Sequence, residues 1–473
     1  MFFPETTMFF HIFRQSSSFP ELTMRLIRNI GVALLVLQSG FLFSQTKTLT
    51  LDQARQIALE RNISVAQAAY NVDAAQSGVL AAYGSYLPSL SGSAGWSRSQ
   101  NDRPGSEPVY VNGIPVVAGS SGRSVANQYS AGLSASYTIF NGFSREGQFT
   151  RASSTAVAAE QTSARTRQSV VFQVESSYLN VLRNEQLVKV DEENLKRDRQ
   201  QLDRITESNR VGALSIADVY RQQSQVAADE LVLITAQNDY DKSKTDLLDL
   251  VGLNVNEDYT IADATISTQI TKEEMDTTFA KYQNFADLSR RAISARPDYL
   301  SANEQLTASD AGVRVARSNY FPSVAAFAGY GIASPQFETV TQYRNLNWGI
   351  QLRWDLFDGF QTNQALQSAI ATQRSAQISL VQTERNVNVD VKKALLDLEA
   401  ARKQYEVSQK GLVSANEDRK IAEERYNLGA GTLLDLLTAN ASYVNAQANQ
   451  VNASYNYITA KRNVEYALGE KVY

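Results

Sequence analysis

The sequence predicts an α+β membrane protein in which one helix–strand–strand–helix–helix unit occurs twice. Three observations predict it: a duplication of long period, strands whose two faces suit different solvents, and helical segments too long for a globular domain. Phe140-Asn141-Gly142-Phe143 returns as Phe357-Asp358-Gly359-Phe360, 217 residues on. Val211-Gly212-Ala213 returns as Leu428-Gly429-Ala430, and Val251-Gly252 as Leu468-Gly469, at the same offset. Upstream, Tyr86-Leu87-Pro88-Ser89 returns as Tyr320-Phe321-Pro322-Ser323, 234 residues on, so the first copy holds 17 extra residues between Ser89 and Phe140. A period this long marks a duplicated structural unit and not a solenoid repeat.

Residues 1–45 read as upstream sequence and an export signal. Met24-Arg25-Leu26-Ile27-Arg28 gives a positive n-region and Ile30 to Phe43 an apolar core, with cleavage expected near Ser44 and residues 1–23 as an over-called start. The chain has no cysteine, and its one histidine, His11, precedes the signal. The exported chain would then lack thiol, Ser-His, Cys-His and His-metal chemistry, and a lipoprotein cysteine as well. A net charge of −4 gives no basic excess for nucleic acid. No Walker-type glycine loop occurs, and the expectation is a non-enzyme with no cofactor and no bound metal. No segment after the signal has the ~20 apolar residues of a membrane helix, which leaves a β-barrel as the route into a bilayer.

The first repeat, 46–252, opens with a helix over about Leu51 to Ala82. From Tyr86 the chain alternates, with Leu90, Ala94 and Trp96 on one face and Ser89, Ser91, Ser93 and Ser97 on the other. A second run sets Tyr129, Leu133, Tyr137 and Ile139 against Gln128, Ser130, Ser134 and Thr138. Between the runs, the proline- and glycine-rich stretch from about Ser99 to Ala126 is expected to be an outer loop. Alternation alone would equally suit a soluble half-buried sheet. Aromatic residues near the ends of the apolar faces, and Ser, Gly, Thr and Gln opposite them, favour a barrel wall with a wet lumen.

From Ser144 to Asn209 there is no proline and one glycine, so a single helix of about 100 Å is expected at ~1.5 Å per residue. Val171, Val174, Tyr178, Val181, Val188, Leu195 and Leu202 repeat with coiled-coil spacing. The helix ends at Val211-Gly212-Ala213, where glycine suits a left-handed cap. Ser215-Ile216-Ala217-Asp218 then starts a new helix with the spacing of a capping box, as Thr432-Leu433-Leu434-Asp435 does in the second copy. Residues 253–284 read as a linker with a short strand or helix.

The second repeat, 285–473, repeats this order: a helix from Phe285 to Arg317, strands over Tyr320 to Ile332 and Leu346 to Leu356, the Phe357–Phe360 turn, and a helical hairpin at Leu428-Gly429-Ala430. Phe327 interrupts the small face of its first strand. Four strands leave open edges that lipid does not tolerate; three chains would supply twelve, enough for a small closed barrel.

The export signal, the duplicated units, the paired Phe-Asn/Asp-Gly-Phe turns and the two glycine hairpins resemble the outer membrane efflux protein family over nearly the whole mature chain. The resemblance implies a homotrimer in the outer membrane of a Gram-negative bacterium, with a 12-stranded barrel continued by a long α-helical barrel through the periplasm. It implies an exit duct that passively conducts substrates received from an inner-membrane transporter (RND, ABC or MFS type) and a periplasmic adaptor (membrane fusion) protein. Outer-membrane lipid would surround the strands.

By the same resemblance, adaptors engage Val211, Gly212 and Ala213 and Leu428, Gly429 and Ala430. A closed tip in the family uses a Tyr and an Arg bonded to an Asp of the neighbouring repeat. Tyr426, Asp218 and Asp435 match; Gly431 stands in place of the Arg and Thr438 in place of a second Asp, with Arg210 or Arg425 as substitutes. Asp218 and Asp435 are also explained as capping residues alone, and the glycines as turn residues. A type I protein secretion duct remains an alternative, and a self-sufficient porin or a periplasmic coiled-coil scaffold fits less well.

Overall fold

A computed structural model describes residues 47–103, 109–117, 122–263, 267 and 269–470; the export signal read at 1–45 lies outside them, as does part of the outer loop. Lys47 and Thr48 with Asp258–Thr260 form a small unit of their own, made by pairing β1 (Lys47–Leu49) with β6 (Tyr259–Ile261), where the Lys47 ammonium stands 5.8 Å over the Tyr259 ring. The remaining described residues make the second unit.

In that unit the helix expected over 51–82 is two helices, α1 (Leu51–Arg61) and α2 (Ile63–Gly84). Asn62 divides them: its side chain accepts from the Ser64 amide (2.9 Å) and donates to the Leu250 carbonyl (2.9 Å), so it caps α2 and ties the break to the neighbouring helix. The second copy breaks in the same way, because α6 (Phe285–Ala295) stops at Arg296 and α7 (Pro297–Ser318) begins with proline at its first position. Buried Arg296 holds that break with a bidentate contact to Asp298 (3.1 and 2.6 Å) and single bonds to Asp390 (3.0 Å) and the Ala467 carbonyl (3.3 Å).

The strands are β2 (Ser89–Arg103), β5 (Gly122–Phe140), β7 (Ser323–Ser334) and β8 (Arg344–Arg353), in one antiparallel sheet of order β2-β5-β7-β8. Tyr86, Pro88 and Tyr320 lie before the strands, in tight turns such as the one closed by the Tyr86 amide on the Tyr83 carbonyl. Trp354 and Leu356 fall beyond β8, whose pairing ends where Arg353 meets Ser323. The first two strands run further out than expected, and within the outer segment Asn112-Gly113 turns a hairpin between β3 (Val109–Val111) and β4 (Ile114–Val117), both turn residues having positive φ. The residue pairs Trp96↔Tyr129, Leu133↔Tyr330 and Ala328↔Trp348 put all four apolar sets on one face. That face is bare: Leu90, Trp96, Leu346, Trp348, Ile350 and Leu352 are all 60% exposed or more. On the other face Ser89 and Ser91 bond across to Ser136 and Ser134 (2.8 Å each), and Phe327 lies against Gly349, where an added Cβ would stand 3.0 Å from the ring.

The long helix α3 (Ser144–Arg210) has 67 residues, as does α8 (Gln361–Asn427). Their return limbs are α4 (Ile216–Val251) and α9 (Leu433–Ala467), and α5 (Lys272–Lys281) lies in the linker. The buried stripe of α3 includes Val171, Val174, Tyr178, Val181 and Leu195, while Val188 and Leu202 are half-buried. A second core of Val387, Val391, Leu398, Tyr405, Tyr457 and Val464 joins α8 and α9 to α5 and α6, and the Ile270 amide donates to the Tyr405 hydroxyl (3.2 Å).

Candidate functional site

Two places join the elements: the strand-to-helix corners and the hairpin tips. At each corner the chain reverses over two consecutive residues of positive φ, Gly142 and Phe143 (66° each), and Gly359 and Phe360 (68° and 70°). The phenylalanines pack edge to face, Phe140 on Phe143 at 5.5 Å and Phe357 on Phe360 at 5.6 Å, which stabilises a left-handed conformation that a bulky residue otherwise avoids. Asn141 and Asp358 each accept an amide of the helix that follows, Arg145 (3.4 Å) and Thr362 (2.7 Å). At the first corner alone, buried Arg145 donates to the Thr138 (2.7 Å) and Ile139 (3.1 Å) carbonyls, where β5 bulges, and lies over the Tyr86 and Tyr137 rings. The sequence reading missed Arg145; its counterpart is Thr362, so the repeat gave no signal.

At the tips Gly212 (φ 76°) and Gly429 (φ 72°) close Schellman turns, in which the Ala213 and Ala430 amides donate back to the Ser208 and Arg425 carbonyls (2.8 Å each). Val211 and Leu428 are 68% and 83% exposed. The two helix starts differ. Thr432 and Asp435 form the full capping box: the Asp435 amide donates to Thr432 Oγ1 (3.2 Å), and the Thr432 amide to Asp435 Oδ2 (3.0 Å). The box expected at Ser215 and Asp218 does not form. Ser215 makes no side-chain cap, and the Asp218 carboxylate instead takes the Arg221 guanidinium (2.9 Å), one turn along on the same face.

Tyr426, from the second hairpin, packs with Leu202, Leu214 and Leu437 around Ile205, Val219 and Leu433, which joins the two hairpins. Burial raises its phenol pKa, the Asp218 charge raises it further, and Arg204 and the Gln201 side chain oppose this. Arg210 pairs with Glu207 (2.8 Å) on the surface and Arg425 donates to the Ala430 carbonyl (3.3 Å), so each is engaged within its own hairpin. Gly431 lies against Arg425, where an added Cβ would stand 3.2 Å from the Arg425 Cβ, and Thr438 bonds back to the Leu434 carbonyl (2.8 Å).

The family model for outer membrane efflux proteins matches residues 54–253 and 288–470. The chain belongs to the outer membrane efflux protein family. Family membership puts it in the outer membrane, reaching into the periplasm, as an efflux channel component. The toluene efflux pump outer membrane protein TtgC of Pseudomonas putida is 26% identical over 431 residues, 89% of this chain and 82% of that protein. The outer membrane protein TolC of Escherichia coli is 25% identical over 455 residues, 93% of this chain and 85% of that one. The crystal structure of the Campylobacter jejuni CmeC outer membrane channel overlays with a TM-score of 0.73 at 22% identity, covering 89% of this chain and 85% of CmeC. The match to this efflux protein runs in two segments and leaves out residues 254–287 between them.

Proposed function

We propose that three copies of this chain close a 12-stranded barrel in the outer membrane and a helical tunnel below it, forming the exit duct of a tripartite efflux system. The observation that carries this is the sheet: four strands with a largely exposed apolar face and two edge strands, β2 and β8, that have no partner on their outer sides among the described residues. In lipid such edges cost several kcal/mol per unpaired group, and closure by further copies satisfies them. Exposed Val211 and Leu428, with Gly212, Ala213, Gly429 and Ala430, supply small turn surfaces at which a periplasmic adaptor docks. An inner-membrane transporter provides the energy, and conduction through the duct is passive. The join of Tyr426 to the first hairpin, beside Asp218, narrows the tip at rest.

The test is conductance of the full-length protein reconstituted in planar bilayers. Heat-modifiable trimers with discrete channels are expected, and Asp218→Ala should raise their conductance by loosening the tip while the trimer stays intact. A protein recovered only as soluble monomers, or trimers that never conduct, would reject the duct in favour of a periplasmic scaffold.

A further inference from the structure

Between α3 and α4 of the first hairpin lies a polar cluster inside packed helices. Gln222 is fully buried; its Nε2 donates to the Asp198 backbone carbonyl (3.1 Å) and to Asp198 Oδ1 (3.4 Å). Asp229, two turns further along α4, is 8% exposed. Its Oδ1 accepts from Gln225 (3.0 Å), while its Oδ2 and the Gln222 Oε1 have no donor among the described residues. Asp229 is near enough to raise the pKa of the Asp198 carboxyl, and both line a groove of about 620 Å³ between α3, α4 and α9. The other charged groups around the pair are Asp191 and Arg197 from α3 and, further along the groove, Asp239 from α4; α9 contributes Leu437, Asn440, Ala441 and Val444, none of them titratable. The Arg197 guanidinium is turned to Asn194 (3.4 Å) and the Tyr443 ring (5.8 Å).

Two buried carboxylates in contact cannot both stay ionised without a cation or a proton between them. Among the described residues no group of three acidic, imidazole or thiol side chains is placed to hold a metal. A shared proton is the remaining solution, and it gives Asp229 Oδ2 the donor it otherwise lacks. The second repeat shows that the fold does not require the cluster: 217 residues on from Asp198, Gln222 and Asp229 stand Ala415, Ala439 and Ala446. There the equivalent positions carry methyl groups in place of two carboxylates and an amide.

We propose that Asp198 and Asp229 share one proton across the α3–α4 joint and that its release loosens the first hairpin, so that each protomer has one pH-responsive hairpin and one, built on alanine, that does not respond. With the proton in place, one carboxyl donates to the other and Gln222 holds Asp198 in position. Without it, two negative charges repel each other across the joint, and α4 loosens from α3. The joint lies 12 residues before Arg210, about 18 Å from the tip at ~1.5 Å per residue.

Burial first, and then the Asp229 contact, push the Asp198 pKa up to about 7. A carboxyl whose folded pKa is raised binds more protons closed than open. The joint is therefore tightest below about pH 4, where an open carboxyl also protonates, and weakens as pH rises to about 7.

Hydrogen–deuterium exchange on the full-length protein in detergent, corrected for intrinsic rates, tests this on the hairpin itself, so failure would leave the duct reading standing. Between pH 5 and 7.5, protection over residues 216–232 should fall about tenfold or more, while the equivalent stretch 433–449 stays level. Asp198→Asn, which keeps the shape and copies the protonated acid by donating to Asp229, should remove the pH dependence; Asp229→Asn should do the same should Asp198→Asn fail to assemble. Infrared difference spectra should show a protonated carboxyl band that is lost over the same range and is absent from Asp198→Asn. Level protection in the wild type, or an equal slope in both asparagine variants, overturns the proposal.

Discussion

Arg145 is the residue on which the first strand-to-helix corner depends most. Its guanidinium satisfies two carbonyls that the β5 bulge turns out of the sheet, and it rests between two tyrosine rings. Arg145→Leu keeps bulk but leaves the Thr138 and Ile139 carbonyls without their donor, and charge-assisted bonds of this kind contribute about 1.5–3 kcal/mol. Thr362, at the same place in the second copy, offers its backbone amide and its hydroxyl to Asp358, so Thr362→Ala keeps the amide bond and loses only the hydroxyl contact with a solvent-facing carboxylate. Denaturant unfolding of the purified protein should therefore show a clear loss for Arg145→Leu and almost none for Thr362→Ala; equal losses would contradict the clasp. The Phe-x-Gly-Phe turns were readable in the sequence because two positive φ angles demand a glycine and the motif occurs twice. Arg145 was not readable, since its partners are main-chain carbonyls exposed by a bulge that leaves no mark in the residue pattern.

At the scale of elements, the two hairpins resemble each other in sequence more than in bonding. Both have glycine at the turn and a hydroxyl followed three residues later by aspartate, yet only Thr432 and Asp435 close the box. Spacing alone misled at Ser215 because Arg221, one turn on, captures the Asp218 carboxylate. Thr432→Ala should therefore cost about 1 kcal/mol, the usual worth of an N-cap, while Ser215→Ala should cost almost nothing. Exchange rates of the first α9 and α4 amides would separate the two, and equal acceleration in both variants would reject the difference. Helix lengths were legible for a simpler reason: long stretches without proline and with scarcely a glycine leave nothing to stop a helix. The break at Asn62 was hidden because asparagine also occurs inside helices, and its contact with Leu250 decides it; the break at Arg296 was marked in the sequence by Pro297, which suits the start of a new helix, and the contacts of Arg296 with Asp390 and Ala467 hold it.

At the scale of the whole molecule, the duplication predicts how neighbouring subunits should meet. Inside one protomer, the first corner is covered by the second copy: a Cβ added at Gly142 would come within 2.5 Å of the Ser318 carbonyl oxygen and 2.9 Å of the Phe321 Cβ. Gly359, its equivalent, has nothing within 4 Å. The 234-residue offset relates Ser318 to Gly84, so in the proposed closed ring Gly84 of the neighbouring subunit would take the place that Ser318 has in the first corner. The two glycines should then fail at different stages. Gly142→Ala meets a carbonyl within its own chain and should prevent the protomer from folding. Gly359→Ala carries only the strain of a left-handed alanine, about 1–2 kcal/mol, until the neighbour arrives, so folded monomers should accumulate while trimers do not form. Gel migration of unheated outer-membrane samples, with limited proteolysis to report folding of the monomer, reads both stages. Wild-type trimer yield from Gly359→Ala would mean that the second corner stays open in the assembly and that the subunits do not repeat the contact made within the chain.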